Sequence, residues 1–212
     1  MNTLAKQIEH LNQELSSQLP QEILEAFGNS IEDLKTKKIN ENSVQIGDQM
    51  PEFSLPNAFG EIINSEDILK DGKMILAFYR GSWCPYCNLE LKFLQDHLSR
   101  IKDKGATLIA VSPQSPDHSL SMVEKNNLEF EVLTDLDNSF AKKLGIAFQL
   151  QDLVLPYYKD LGINLSDFNK NDDNVLPVPA VFVVNENRVV TYKFLDVNYM
   201  NRVDVEALIN SL

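Results

Sequence analysis

Cys84 and Cys87 are the only cysteines in a chain of 212 residues, and Pro85 and Tyr86 alone separate them. Two thiols at that spacing can exchange with oxidants and disulfides, supply half of a metal site, or sit inert in a core. A zinc site takes about four ligands. The other two would have to come from His10, His97, His118 or carboxylates, and none of these stands at a recognisable ligand spacing. The redox reading therefore leads, and it needs no cofactor and no metal. Since the thiolate is the reactive form, the next question is which elements hold the pair.

Met74 to Tyr79 is a continuous apolar run of strand length, as in a central strand covered on both faces. A helix follows, with Leu91, Leu94, Leu98 and Ile101 on one face and Leu89 and Phe93 widening the stripe. The pattern predicts one helix running to Lys104, with Gly105 as a left-handed cap. Pro85 suits the first helical position, where its missing amide hydrogen has no partner to lose. Cys84 becomes the cap residue. First-turn amides and aligned peptide dipoles there favour the thiolate, lowering a cysteine pKa from about 8.5 to roughly 3.5 to 7.5 in CXXC sites. Three residues on, Cys87 lies on the same side of the turn, within reach of a mixed disulfide or a sulfenic acid on its partner. The expectation is an exposed, attacking Cys84 and a covered, resolving Cys87. Arg80 has two readings, a cation near the thiolate or a solvated surface side chain. Trp83 and Tyr86 shape the rim of the site or fill space, and His97 is a packing or solvated histidine.

A second site element is Pro177-Val178-Pro179-Ala180 before a buried strand. Pro179 marks a strand start where a cis peptide can occur and where backbone could receive an extended substrate segment. Elsewhere, Phe53 to Leu55 and Glu61 to Ile63 read as a hairpin. Strands at Thr107 to Val111 and Glu131 to Leu133 alternate with helices at Leu120 to Asn127 and Asn138 to Leu144, which implies a parallel core. Residues 146 to 176, with Tyr157, Tyr158, Leu161 and Phe168 among loop signals, read as an insertion with its own helical turn. The chain closes with strands at Ala180 to Val184 and Val189 to Phe194 and a helix from Val203.

Two amphipathic series, Leu4, Ile8, Leu11, Leu15 and, after Pro20, Ile23, Leu24, Phe27, Ile31, Leu34, predict helices over residues 1 to 39. A polar stretch from Asn40 to Ser43 reads as a linker. The expected organisation is a helical extension over 1–43 and a domain over 44–212. The apolar stripe of the extension either packs on its own domain or meets a second copy, which would make a homodimer.

With 43% hydrophobic residues the chain can bury one core. Asp and Glu number 31 against 19 Lys and Arg, a net charge of −12 that repels nucleic acid. No apolar run approaches the ~20 residues of a membrane span, and no secretory leader stands out at the N-terminus, so a cytoplasmic setting with reduced thiols is expected.

From about Gly47 onward the chain resembles the peroxiredoxin branch of the thioredoxin superfamily, of the alkyl hydroperoxide reductase and thiol-specific antioxidant type. The resemblance rests on Gly47-Asp48 with Pro51, Phe53, Leu55 and Gly60, on Phe78 to Cys87 with Glu90, and on Val181 to Val184. It implies an α/β thioredoxin-like fold, a central mixed sheet flanked by helices. It also implies a thiol that reduces hydrogen peroxide and organic hydroperoxides, recharged by thioredoxin or glutaredoxin. The active-site pattern departs from that family. Arg80 takes the place of its proline, Cys84 of its hydroxyl residue and Cys87 of its peroxide-attacking cysteine, Glu90 is retained, and its distal arginine falls on Pro179. Cys84-Pro85-Tyr86-Cys87 itself is identical to the dithiol motif of glutaredoxins. Three readings stand: a thiol peroxidase, a thioredoxin-like thiol-disulfide oxidoreductase, or a redox-sensing interaction protein without turnover.

Overall fold

The structure, a computed structural model, describes residues 3–212. The chain begins with α1 (Leu4–Gln18), α2 (Gln21–Thr36) and the single turn α3 (Ile39–Asn42). The hairpin β1 (Ser54–Pro56) and β2 (Ile62–Asn64), then α4 (Ser65–Leu69), lead to β3 (Lys73–Phe78), α5 (Pro85–Asp96), α6 (Leu98–Asp103) and β4 (Ala106–Ser112). Next come α7 (Pro116–Asn126), β5 (Glu131–Thr134), α8 (Ser139–Lys143), β6 (Ala147–Gln149), α9 (Leu155–Asp160) and α10 (Leu165–Asn169). The last elements are β7 (Val175–Pro177), β8 (Ala180–Val184), β9 (Val190–Leu195) and α11 (Val205–Asn210).

The central sheet has the order β5-β4-β3-β8-β9. Strand β3 runs parallel to β4 and antiparallel to β8, so the sheet is mixed, with the helices on its two faces. Alternation along β3 sorts its side chains between two cores. Met74, Leu76 and Phe78 join a cluster that includes Phe140, Phe182 and Leu176. Ile75, Ala77 and Tyr79 join the opposite cluster, which holds Cys84, Cys87, Leu91 and Leu94. The thiols therefore belong to the face covered by α5.

The N-terminal helices serve both faces. Leu4 and Ile8 of α1 are buried in the cluster with the cysteines, while Ala26 and Leu34 of α2 enter the other. Their apolar stripe is thus used within the chain. The side chain of Gln151 fastens α2 to residues 146 to 176: its amide donates to the Ser30 carbonyl at 3.2 Å and to Asp33 at 2.8 Å, and it accepts from the Ser30 hydroxyl at 2.8 Å. The stretch expected to be a linker is partly the turn α3, because Ile39 is buried in the core.

Two other expectations are corrected. The single long helix after Cys87 is two, broken at His97 (φ −108°, ψ 7°). The ring Nδ1 of His97 donates to the Phe93 carbonyl at 2.8 Å, and its amide turns to Leu94 at 3.1 Å. The leucine stripe stays buried across the break, which is why spacing alone did not reveal it. Residues 146 to 176 hold two short helices, not one turn, flanked by the antiparallel pair β6 and β7.

Candidate active site

The loop from Arg80 to Cys84 joins the end of β3 to the start of α5, and a set of hydrogen bonds shapes it. The amide of Ser82 donates to Gln114 Oε1 at 2.8 Å, and Gln114 Nε2 donates to the Tyr79 hydroxyl at 2.9 Å. Asn88 Nδ2 donates to the Ser82 carbonyl at 2.8 Å, and the amide of Cys84 to that of Gly81 at 3.1 Å. Gly81 has φ +153°, and any Cβ there would run into the indole of Trp83. Only glycine lets the tryptophan fold back on the loop. As expected, Cys84 caps α5 and Pro85 opens it.

Both sulfurs are fully buried, which overturns the expectation that Cys84 is the exposed one. Aromatic rings from distant segments cover the loop: Trp83 meets Tyr158 with centroids 5.4 Å apart, and Tyr86 meets Tyr199 at 5.5 Å. Helix α1 adds a tie, since the Tyr86 hydroxyl donates to Asn12 at 2.6 Å. Tyr86 is thus an anchor for the cover.

Arg80 is buried, so the surface reading of it is also overturned. Its Nη2 donates to Cys84 Sγ at 3.2 Å and its Nη1 to the Tyr158 hydroxyl at 3.2 Å. The guanidinium carbon lies 3.9 Å from the centroid of the Tyr199 ring and 5.2 Å from that of Trp83. This cation–π contact offsets part of the cost of burying the charge. A second arginine flanks the other sulfur: Arg202 pairs with Glu90 at 2.7 Å and lies 3.5 Å from Cys87 Sγ. The amide of Val203 completes the Glu90 carboxylate at 3.4 Å.

These neighbours split the two thiols. Burial opposes ionisation of Cys84, but a hydrogen bond from Cys87 and the charges of Arg80 and Arg202 outweigh it and hold its pKa well below the usual thiol value. Burial pushes Cys87 well above that value, and its bond to the Cys84 sulfur and the negative charge there push the same way. No first-turn side-chain cap bond involves Cys84, so the Arg80 guanidinium, not a helix amide, is the charged donor that the thiolate meets, with Arg202 acting on it only through its charge. Cations around both sulfurs suit an anion and oppose a metal ion.

Cys84, Cys87, Arg80, Trp83, Pro85, Tyr86 and Glu90 therefore gather on one loop and helix. Pro179 is not among the groups bonded to the sulfurs. It is buried at the start of β8, none of the described peptide bonds is cis, and the Val178 amide beside it is already paired with Ile146 at 2.8 Å. Sequence reasoning missed Arg202, Tyr158, Tyr199, Gln114 and Asn12. For Arg202 the one available signal was Glu90, a carboxylate on a buried helix face that needed a cation.

A family model described as the AhpC/TSA family matches residues 46–193. The Escherichia coli K12 protein named peroxiredoxin Bcp is 29% identical over 105 residues, 50% of this chain and 67% of that protein. A Buchnera aphidicola bcp protein is 35% identical over 47% of this chain, and the aligned stretch spans 63% of that relative's length. Among solved structures, peroxidoxin BcpB of Mycobacterium tuberculosis superposes with a TM-score of 0.65 at 18% identity, covering 79% of this chain and 96% of that one. A peroxiredoxin-like protein of Aquifex aeolicus gives 0.62 at 17% identity over 79% of this chain and 85% of its own. At such identities the superpositions speak for the thioredoxin-like fold.

Proposed function

Since this chain belongs to the AhpC/TSA family, we propose that it is a thiol-dependent peroxidase in which Cys84 attacks the peroxide and Cys87 resolves the product. The Cys84 thiolate attacks the terminal oxygen of a hydroperoxide. The O–O bond breaks, an S–O bond forms, and the departing alkoxide or hydroxide takes a proton from solvent. Cys87 then attacks the sulfenic sulfur, its thiol proton leaves with the hydroxyl as water, and the disulfide closes. An external dithiol of the thioredoxin or glutaredoxin kind returns two electrons and two protons by exchange. This reading places the protein in a reducing compartment such as the cytoplasm.

The observation that carries the assignment is the 3.2 Å contact of Arg80 with the Cys84 sulfur. It supports an anion on Cys84, whereas Cys87 is held protonated beside it. The family's register would put the attack on Cys87, so the two assignments differ in outcome. Cys84→Ser and Cys87→Ser variants, exposed to peroxide with a sulfenic-acid trap, separate them. Labelling is expected in Cys87→Ser; labelling confined to Cys84→Ser would reverse the roles. Direct reduction of protein disulfides would require a polypeptide to reach these sulfurs in the reduced protein, where both are fully buried, whereas the recycling dithiol meets the oxidised form. The matching check is peroxide-dependent consumption of reduced thioredoxin set against reduction of insulin disulfides.

A further inference from the structure

Helix α1 covers the dithiol on few attachments. Of its 15 residues, Leu4 and Ile8 are buried, with Leu11 and Leu15 partly buried beside them. Among the described residues no ion pair reaches α1, and the Tyr86 hydroxyl on Asn12 is the one hydrogen bond between its side chains and the rest of the fold. Grooves run along both of its flanks, about 1060 Å³ against the 196 to 206 segment and about 570 Å³ against the first turns of α5. An element with so few buried apolar contacts sits at the low end of local stability. Helix α2 is held differently: Ile23, Ala26, Ile31 and Leu34 are buried, Phe27 meets Tyr158 with centroids 6.0 Å apart, and Gln151 pins it. Between the two helices Leu19 (ψ 142°) and Pro20 (ψ 144°) are extended, and Pro20 has no amide hydrogen with which to continue α1. That junction is a hinge with α1 on its free side.

We propose that α1 is a redox-coupled lid, seated while the two thiols are reduced and released when they join as a disulfide. The inference rests on the peroxidase reading above and adds regulation of the same site. Tyr86, which α1 holds, is one of the two residues inside the ring that the new bond closes. The other, Pro85, has a fixed φ, so the adjustment of that ring falls on Tyr86. A second route runs through charge. Oxidation removes the Cys84 anion from Arg80, whose guanidinium lies over the Tyr199 ring, and Tyr199 in turn packs edge-on against Tyr86. Both routes end at the Asn12 bond. A seated α1 seals the reduced sulfurs from other proteins; a lifted one opens the disulfide to the external dithiol that recycles it. The moving part lies outside residues 46–193, the stretch that matches the family model.

Hydrogen exchange read by mass spectrometry tests this on the full chain, fully reduced and after treatment with diamide, which takes two electrons and two protons from the dithiol. Peptides of α1 are expected to exchange at least about fivefold faster in the oxidised protein, the contribution of one hydrogen bond, with α2 unchanged. Asn12→Ala should give the reduced protein the oxidised rate in α1 and raise its stoichiometric reduction of insulin disulfides by a similar factor. Equal α1 exchange in the two states, or faster exchange confined to α5 with α1 still protected, would overturn the lid. So would a dithiol that diamide leaves free. Peroxides that fail to oxidise the thiols would overturn the peroxidase reading alone, since diamide closes the bond without them.

Discussion

The hydroxyl of Tyr86 donates to Oδ1 of Asn12 at 2.6 Å across 74 positions of sequence, joining the helix that Cys84 caps to the N-terminal helix α1. Burial pushes the Tyr86 phenol up to about 12, so it stays a donor throughout the physiological range. The contact makes the first helix part of the roof over the sulfurs.

Asn12→Ala removes the acceptor, and such a bond contributes about 1 kcal/mol. The expected result is a loss of that order in denaturant unfolding and a rise in acrylamide quenching of Trp83, as α1 lifts more often. Tyr86→Phe in the same background should add little further loss, because the two changes remove one interaction.

Arg80→Met takes away the cation nearest the Cys84 sulfur. Ultraviolet titration of the reduced protein should show the thiolate midpoint moving up toward the unperturbed ~8.5, and oxidation by peroxide at neutral pH should slow at least tenfold. Stability follows the same sign. A depressed folded pKa contributes stability that is fully present above the unfolded value and is lost as pH falls through the folded one. The native reduced protein should therefore weaken on acidification across that window, and the Arg80→Met protein should weaken less.

Glu90 and Arg202 form a buried ion pair, 3% and 1% exposed. Glu90→Ala leaves a guanidinium without its carboxylate in a dry site, and the expected loss is about 3–5 kcal/mol. A double change, Glu90→Leu with Arg202→Met, should recover much of it in equilibrium unfolding, since it removes both charges together.

Gly81→Ala places a methyl against the Trp83 indole at a φ that side chains rarely adopt. A destabilisation of about 1–3 kcal/mol is expected, together with a change in Trp83 emission. A silent substitution would mean that the loop rearranges freely.

Much of the site was legible because its chemistry is contiguous. The run from Met74 to Tyr79, the proline at the helix start and the cysteine spacing all lie within a few residues, so local rules of strand burial and capping placed the thiols correctly. Burial of both sulfurs was not legible. It depends on Tyr158, Tyr199 and α1, which reach the loop only through the tertiary fold, and an aromatic in a polar stretch looks the same whether it covers a site or a neighbour. Arg80 read equally well as surface or site because its burial depends on those distant rings. Pro179 is a different case: the proline before a strand correctly marked the start of β8, but a strand-start signal carries no information on which groups of the site it faces.

The two arginines beside the dithiol have a thermodynamic corollary. In the reduced state the Cys84 anion and the Glu90 carboxylate together match two guanidiniums; joining the sulfurs erases one of those negative charges and leaves a surplus cation sealed from water. The electron-rich form is consequently the better accommodated member of the couple, and the midpoint potential should stand above the ~−270 mV of thioredoxin. Discharging the bond to an outside dithiol then runs downhill.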